Sequence, residues 1–243
     1  MPAGDKIIVA LDVPDLAAGV KLVDQLFPYV GMFKVGLEFY TAAGPAAISM
    51  VKERGGKVFA DLKLHDIPNT VAGAARALVR LGVDMLNVHA AGGRAMLQAA
   101  AAAVREEASA LGRPASLLIA VTVLTSLDGE ALRHEVGIER EVEEQVVRWA
   151  GLAQESGLDG VVASPREIGA IRAACGPEFV IVTPGVRPAG ADRGDQRRVM
   201  TPVQALQHGA SYLVIGRPIT AAPDPVAAAR AIAAEMEGAR EGI

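Results

Sequence analysis

Two aspartates and two lysines are the residues of this chain best suited to acid–base chemistry. Asp61 and Lys63 stand two positions apart in an apolar run, so on a regular strand both side chains point to the same side. Asp66 follows three residues later, and Lys34 lies in a separate apolar run. Burying one such charge alone is costly, whereas alternating charges give each ion an opposite neighbour. A protonated lysine held in such an array can donate a proton and stabilise a carbanion.

The alternative is a charged network that only fastens neighbouring strands, and for an isolated Asp–Lys pair that alternative is favoured. Four such charges gathered at the ends of predicted strands favour function instead. The chain has only six lysines among its 24 lysines and arginines. A lysine inside an apolar run therefore indicates a specific need, since lysine can deprotonate and arginine cannot.

Two glycine–arginine segments late in the chain predict an anion site. One contains Gly185 and Arg187, and the other contains Gly216 and Arg217. Glycine lets backbone N–H groups approach a phosphate closely, and arginine binds it through a bidentate fork. Ordinary turn residues are the alternative for either segment taken alone.

The elements that must position these residues alternate between strand and helix along the whole chain. Eight short runs rich in Val, Ile and Leu predict parallel strands covered by helices, at residues 6–11, 32–35, 58–62, 85–88, 117–121, 160–163, 180–182 and 212–215. Helices are predicted at residues 15–26, 45–54, 68–81, 94–110, 139–155, 165–174, 202–207 and 225–237. Eight such units in 243 residues favour an α/β fold, a (β/α)8 TIM barrel forming a single domain over 1–243, with an open doubly wound sheet as the alternative.

A TIM barrel builds its active site at the C-terminal ends of its strands. Asp12 directly follows the first predicted strand, and the next two strands carry Lys34 and Asp61, so these charges are expected to meet. The two glycine–arginine segments follow strands seven and eight, a common phosphate position in barrels. The long connections 122–138 and 184–201 are predicted to lie on the same face as functional lids.

Composition limits the classes of function. With 51% hydrophobic and 21% charged residues, the chain is typical of globular proteins and not of disordered ones. It lacks an apolar run long enough for a transmembrane helix, and its net charge of −4 argues against a nucleic-acid partner. The lone Cys175 excludes a disulfide framework and, with no visible signal peptide, predicts a cytoplasmic protein. The four histidines show no metal-ligand spacing, so no metal is predicted, and His89 is interpreted as a core residue.

Taken in order, these segments closely resemble the bacterial type of the orotidine 5′-phosphate decarboxylase family. The matching segments are Ala10-Leu-Asp12, Lys34-Val-Gly36, Asp61-Leu-Lys-Leu-His-Asp-Ile-Pro-Asn-Thr70, Thr122-Val-Leu-Thr-Ser126, Pro184-Gly-Val-Arg187 and Ile215-Gly-Arg-Pro218. The Asp-x-Lys-x-x-Asp core alone is shared by a wider superfamily. The complete series is specific, and it spans the chain.

The resemblance implies decarboxylation of orotidine 5′-monophosphate to uridine 5′-monophosphate (UMP) and CO2 in de novo pyrimidine biosynthesis, with no metal and no organic cofactor. Lys63 matches the proton donor to pyrimidine C6, and Asp61 matches the carboxylate beside the carboxylate of the substrate. Lys34 is similar to a residue that orients Asp61 and touches the ribose. A homodimer with shared active sites is also implied, in which Asp66, Ile67 and Thr70 reach into the site of the partner.

The remaining matches concern substrate binding. Asp12 resembles a ribose contact, and Thr125 and Ser126 resemble pyrimidine contacts. The residues that resemble the phosphate contacts of the family are Arg187, Gln196, Gly216 and Arg217. Two alternatives stay open: a Mg²⁺-dependent sugar-phosphate enzyme of the same superfamily (3-keto-L-gulonate 6-phosphate decarboxylase or hexulose-6-phosphate synthase), and a barrel that binds a nucleotide without catalysis.

Overall fold

The computed structural model describes residues 2–188 and 200–238. Its strands are β1 Ile7–Leu11, β2 Met32–Gly36, β3 Val58–Leu64, β4 Met85–His89, β5 Leu117–Val121, β6 Gly160–Val162, β7 Val180–Thr183 and β8 Tyr212–Ile215. They form a closed barrel in sequence order, in which β8 pairs in parallel with β1. The predicted TIM barrel is confirmed, and the open sheet is excluded because a closed sheet has no edge strands.

The helices surround the barrel. They are α1 Leu16–Leu26, α2 Leu37–Ala43, α3 Ala46–Glu53, α4 Pro68–Arg80, α5 Gly93–Ala110, α6 Gly129–His134, α7 Val142–Glu155, α8 Ile168–Cys175, α9 Pro202–Gln207, α10 Arg217–Thr220 and α11 Pro225–Gly238. In the described part of the chain, no helix has the length and apolar character needed to cross a bilayer.

Three of these helices lie where the sequence analysis predicted none. Helices α2 and α10 have seven and four residues, too short to display an apolar period of 3.6. Helix α6 lies inside the connection 122–138, where the Asp128 carboxylate caps it by accepting a hydrogen bond from the Ala131 N–H. The predicted helix 139–155 also begins later, at Val142.

The alternation of side chains along the strands divides the core in two. One cluster fills the barrel interior and includes Ile8, Met32, Phe59, Met85 and Val214. A larger cluster lies between the strands and the surrounding helices. Because the interior is filled with apolar side chains, polar groups on the inner side of the sheet have room only at the strand ends.

Candidate active site

Three neighbouring strands present polar side chains directly beyond the apolar interior: Lys34 on β2, Asp61 on β3 and Asn87 on β4. Each stands two residues after an interior apolar side chain of its own strand, so all three point into the mouth of the barrel. Lys34 is 9% exposed and Asn87 is fully buried. Buried groups of this kind need polar partners, and here they find them in one another.

Asp61 lies at the centre of a row of alternating charges that we call the charge array: Asp12, Lys34, Asp61 and Lys63. Its Oδ1 is 2.7 Å from Lys63 Nζ, and its Oδ2 is 3.4 Å from Lys34 Nζ. Lys34 Nζ in turn lies 3.2 Å from Asp12 Oδ1. The side chains of Lys34 and Asp61 are only 11% and 13% exposed, so these two ions are stabilised mainly by their neighbours and little by water.

Asp66 does not join the charge array of its own chain, although the sequence analysis grouped it there. Its carboxylate accepts a hydrogen bond of 2.6 Å from the Ile67 N–H, and within residues 2–188 and 200–238 it forms no ion pair with either array lysine. Asp12 supplies the second carboxylate instead. Asp66 stands beyond the end of β3, where strand periodicity no longer sets the direction of a side chain. Thr70, in the first turn of α4, is exposed as well.

Lys63 reaches Asp61 from a distorted stretch of β3. Its φ of +53° is the only positive value for a non-glycine residue among those described, and such a conformation costs about 1–3 kcal/mol. The pairing of Ala60 with Leu86 resumes only at Leu64 with Val88, so β3 bulges between them. The two side chains meet as predicted, but the regular strand assumed in that prediction is not what brings them together.

A pocket that we call the ring pocket opens beside the charge array. Lys34, Asp61 and Lys63 form its charged side, and the remaining lining is mostly apolar: Phe59, Val121, Val123, Leu124, Thr125, Val162, Ala163, Pro184 and Val214. Thr125 adds a hydroxyl there, and the next residue, Ser126, is exposed. A pocket with apolar walls and a few polar groups suits a flat heterocycle.

A second pocket, the anion pocket, adjoins the first and shares Lys34, Pro184 and Val214 with it. The rest of its lining is Ala10, Asp12, Glu38, Gly185, Arg187, Gly216 and Arg217. The two arginines and Lys34 suit an anionic group, and the two carboxylates suit hydroxyl groups. Glu38, in the first turn of α2, was missed because that helix was not predicted.

The backbone around Arg187 shows why a glycine precedes it. Gly185 has a φ of +75°, which glycine adopts without the steric cost of a side chain. The chain then forms a short parallel bridge between Val186 and Met200, in which the Arg187 N–H donates to the Met200 carbonyl at 3.0 Å. Gln196 and most of the predicted lid 184–201 lie outside the described residues.

Asn87 is the buried mouth residue that the sequence analysis did not single out. Its Nδ2 donates a hydrogen bond of 2.7 Å to Asp61 Oδ1. The signal was present, since Asn87 is two residues beyond Met85 on a strand whose inner positions are otherwise expected to be apolar. The predicted barrel pairs β3 with β4, but the register of that pair, which the bulge shifts, could not be predicted, and it is this register that brings Asn87 to Asp61.

His89 lies at the rim of the barrel, which corrects its interpretation as a core residue. It is partly exposed, and its ring centroid is 5.4 Å from that of His65. Burial lowers the pKa of His89, the positive charges of His65 and Lys63 lower it further, and Asp61 opposes them. The neutral form of His89 is therefore the one that the folded protein favours.

This shift predicts a pH-dependent loss of stability. Because the pKa of His89 is below its ordinary value of 6.5 in the fold, the unfolded chain takes up the proton first as the pH falls. The contribution of neutral His89 to the free energy of unfolding is therefore fully present above about pH 6.5, and it is lost as the pH falls toward the folded-state pKa. We expect His89→Gln to reduce the loss of unfolding free energy between about pH 7.5 and pH 5.5, measured by urea unfolding. His134→Gln, at the exposed end of α6, is the control, and an equal effect in both variants would contradict the assignment.

Comparison with known proteins gives consistent matches over nearly the whole chain. The family model described as "Orotidine 5'-phosphate decarboxylase / HUMPS family" matches residues 5–232. An orotidine 5′-phosphate decarboxylase of Moorella thermoacetica is 87% identical over 237 residues, which are 98% of this chain and 94% of the relative. One from Trichlorobacter lovleyi is 58% identical over 96% of both chains. The crystal structure of orotidine 5′-phosphate decarboxylase from Lactobacillus acidophilus superposes with a TM-score of 0.84 at 40% identity, covering 95% of this chain and 98% of that one.

Proposed function

Because the chain belongs to the orotidine 5′-phosphate decarboxylase/HUMPS family, we infer that it converts orotidine 5′-monophosphate to UMP and CO2 in pyrimidine biosynthesis. The observation that carries this inference within the family is the charge array at the edge of the ring pocket, with the Lys63 amine 2.7 Å from Asp61. An enzyme that removes a carboxylate from a ring carbon needs a cation fixed near that carbon, and we assign this role to Lys63.

The chemistry accounts for the residue types. When the bond between C6 and the carboxylate breaks, CO2 leaves and the electron pair stays on C6, where the ring offers no conjugated sink for it. A fixed positive charge must stabilise that pair. Lys63 then transfers a proton from Nζ to C6, which gives UMP and leaves a neutral amine that regains its proton from water.

Asp61 serves this step by holding the lysine. Its Oδ1 accepts the hydrogen bond from Lys63 Nζ, and its Oδ2 faces Lys34, so the carboxylate is fixed from both sides. With the substrate bound, Asp61 would lie beside the departing carboxylate. Repulsion between the two anions would then raise the energy of the ground state, an effect that disappears as CO2 forms.

The two pockets divide the rest of the nucleotide between them. We assign the pyrimidine to the ring pocket, near Thr125 and Ser126, and the ribose to Asp12 and Lys34. The phosphate belongs to Arg187, Gly216 and Arg217, with Gln196 a further predicted contact. Binding free energy from the distant phosphate can be expressed as stabilisation of the transition state at C6.

A chelation experiment tests the function and separates it from the Mg²⁺-dependent alternative. The Lys34 ammonium lies between the carboxylates of Asp12 and Asp61, where it would repel a divalent cation. We therefore expect the protein to form UMP and CO2 in equal amounts, at an unchanged rate, in excess EDTA. Loss of activity on chelation with recovery on adding Mg²⁺ would favour a sugar-phosphate enzyme. Binding without turnover would favour the non-catalytic alternative.

We also propose a homodimer whose subunits share their active sites. Support comes from the segment that follows β3: Asp66 and Thr70 are exposed, and Ile67, a large apolar side chain, is 66% exposed. Such a side chain, beside an exposed carboxylate that forms no ion pair with either array lysine of its own chain, suits burial against a second copy of the chain. Asp66 would then complete the array of the partner subunit.

Mixing two inactive variants tests this arrangement. Lys63→Ala and Asp66→Asn remove opposite halves of each shared site, so a dimer containing one of each has one intact site and one doubly altered site. Random exchange should therefore restore about a quarter of the wild-type activity, measured after mixing in mild denaturant and dilution. Activity that stays at the sum of the separate variants would place Asp66 in the site of its own subunit or in none.

A cytoplasmic location is part of the same proposal. The single cysteine, Cys175, is buried and free, as is usual for proteins of a reducing compartment. The proposed partners are the nucleotide and a second copy of the chain, with neither nucleic acid nor membrane.

A further inference from the structure

Asn87 uses both ends of its side-chain amide within the active site. It is fully buried, its Nδ2 donates to Asp61 Oδ1 at 2.7 Å, and its Oδ1 accepts from the Lys63 N–H at 2.8 Å. The opposite orientation would bring its carbonyl oxygen against a carboxylate and its NH2 group against an N–H. The chemistry of the partners therefore determines how this amide is oriented.

The bulge in β3 explains why a side chain is needed at this point. Residues 61–63 of β3 face the single residue Asn87, between the Ala60–Leu86 and Leu64–Val88 pairs. A bulge leaves an amide of the strand without its ladder partner, and a buried N–H must find another. The side-chain Oδ1 of Asn87 accepts a hydrogen bond from the N–H of Lys63, the residue with the left-handed φ of +53°.

The side-chain amine and the backbone N–H of Lys63 are both linked by hydrogen bonds to the carboxylate of Asp61. Its Nζ donates directly to Asp61 Oδ1 at 2.7 Å, and its backbone N–H is linked to that same oxygen through the amide of Asn87. We propose that Asn87 is a positioning residue for the decarboxylation, which holds the Lys63 backbone and the Asp61 carboxylate so that the amine points at the reacting carbon. This inference rests on the proposed function and adds to it a residue that acts through Lys63.

Replacing the amide separates this role from ordinary structural support. Asn87 is not among the described residues that line the ring pocket or the anion pocket, so Asn87→Ala should bind UMP within about 3-fold of wild type while kcat falls about 100-fold. Ser116→Ala is the matched control. It removes another buried hydrogen bond, from Ser116 Oγ to the Val83 carbonyl at 2.7 Å, at the opposite end of the barrel, and should leave kcat unchanged.

The variant Asn87→Asp, whose side chain has the same shape, gives a second measurement: the pH dependence of kcat. A purely structural role of Asn87 would not change this dependence. Asn87→Asp places a second carboxylate against Asp61, and at neutral pH the two repel. When protonated, its carboxyl group can again donate to Asp61 and accept from the Lys63 N–H. We therefore expect the ratio of Asn87→Asp to wild-type kcat to rise about 10-fold or more from about pH 8 to about pH 5.5.

A crystal structure of Asn87→Ala completes the test. We expect the φ of Lys63 to leave the left-handed region or its Nζ to move away from Asp61.

If wild type decarboxylates and Asn87→Ala keeps kcat within about 3-fold, or if the ratio of the Asn87→Asp kcat to the wild-type kcat does not change with pH, the inference is overturned and the proposed function stands. If wild type does not decarboxylate, the proposed function fails, and the variant structure still decides whether Asn87 holds Lys63. Should Asn87→Ala not fold, the isosteric Asn87→Asp carries both the kinetic and the structural comparison.

Discussion

Lys63→Ala is expected to lower the rate of UMP formation by several orders of magnitude while the barrel remains folded. The variant removes both the cation that stabilises the electron pair at C6 and the proton that C6 receives. Lys34 cannot replace it, because its amine is engaged on the other side of Asp61, 3.4 Å from Oδ2 and 3.2 Å from Asp12. Single-turnover formation of UMP, with thermal unfolding followed by circular dichroism, measures the two parts of this prediction.

Lys57→Ala is a suitable control for this variant. Lys57 is an exposed lysine that immediately precedes β3, at the opposite end of the strand that carries Lys63. Its removal changes the net charge of the protein by the same amount and should leave turnover unchanged. Retained turnover in Lys63→Ala, with Lys57→Ala equally active, would remove Lys63 from its role.

Arg217→Ala is expected to reduce kcat/KM for orotidine 5′-monophosphate about 100-fold, mainly through KM. Arg217 lines the anion pocket with Arg187, and a charged hydrogen bond between a guanidinium and a phosphate is worth about 1.5–3 kcal/mol. The effect should vanish with orotidine, which has the same ring and ribose but no phosphate. Steady-state kinetics on both substrates measures the difference.

Arg166→Ala is the matched control for the phosphate assignment. Arg166 is an exposed arginine in the 3-10 turn that follows β6, on the same face of the barrel. It does not belong to the described lining of the anion pocket, so its loss should affect neither substrate. An equal loss of activity on orotidine and on its phosphate ester in Arg217→Ala would contradict the assignment.

The barrel is predictable from sequence because each strand is buried on both faces. A strand between an apolar interior and a ring of helices appears as a short continuous apolar run, and all eight observed strands overlap the predicted ones. The longer helices are predicted for a similar reason, since their buried stripe repeats over several turns. Helix α10, Arg217–Thr220, has too few residues for any such repeat.

The active site is predictable only as far as the strands are regular. Lys34 follows its strand register, and its position at the mouth comes directly from alternation. Lys63 and Asp66 depend on the bulge and on the end of β3, which the local sequence does not reveal. The contact of Asn87 with Asp61 and Lys63 depends on the shifted register of β3 against β4, which the pattern of apolar residues does not determine.

Chemical restoration of the Lys63 amine tests the central claim most directly. Lys63→Cys should be inactive, and alkylation of its thiol with 2-bromoethylamine rebuilds a primary amine at nearly the original distance. The only native cysteine, Cys175, is buried, and alkylated wild-type protein controls for reaction there. We predict that aminoethylation of Lys63→Cys restores decarboxylation, and that iodoacetamide, which adds a neutral group, does not. Equal activity after either reagent, or substantial activity before alkylation, would contradict the assignment of Lys63 as the proton donor.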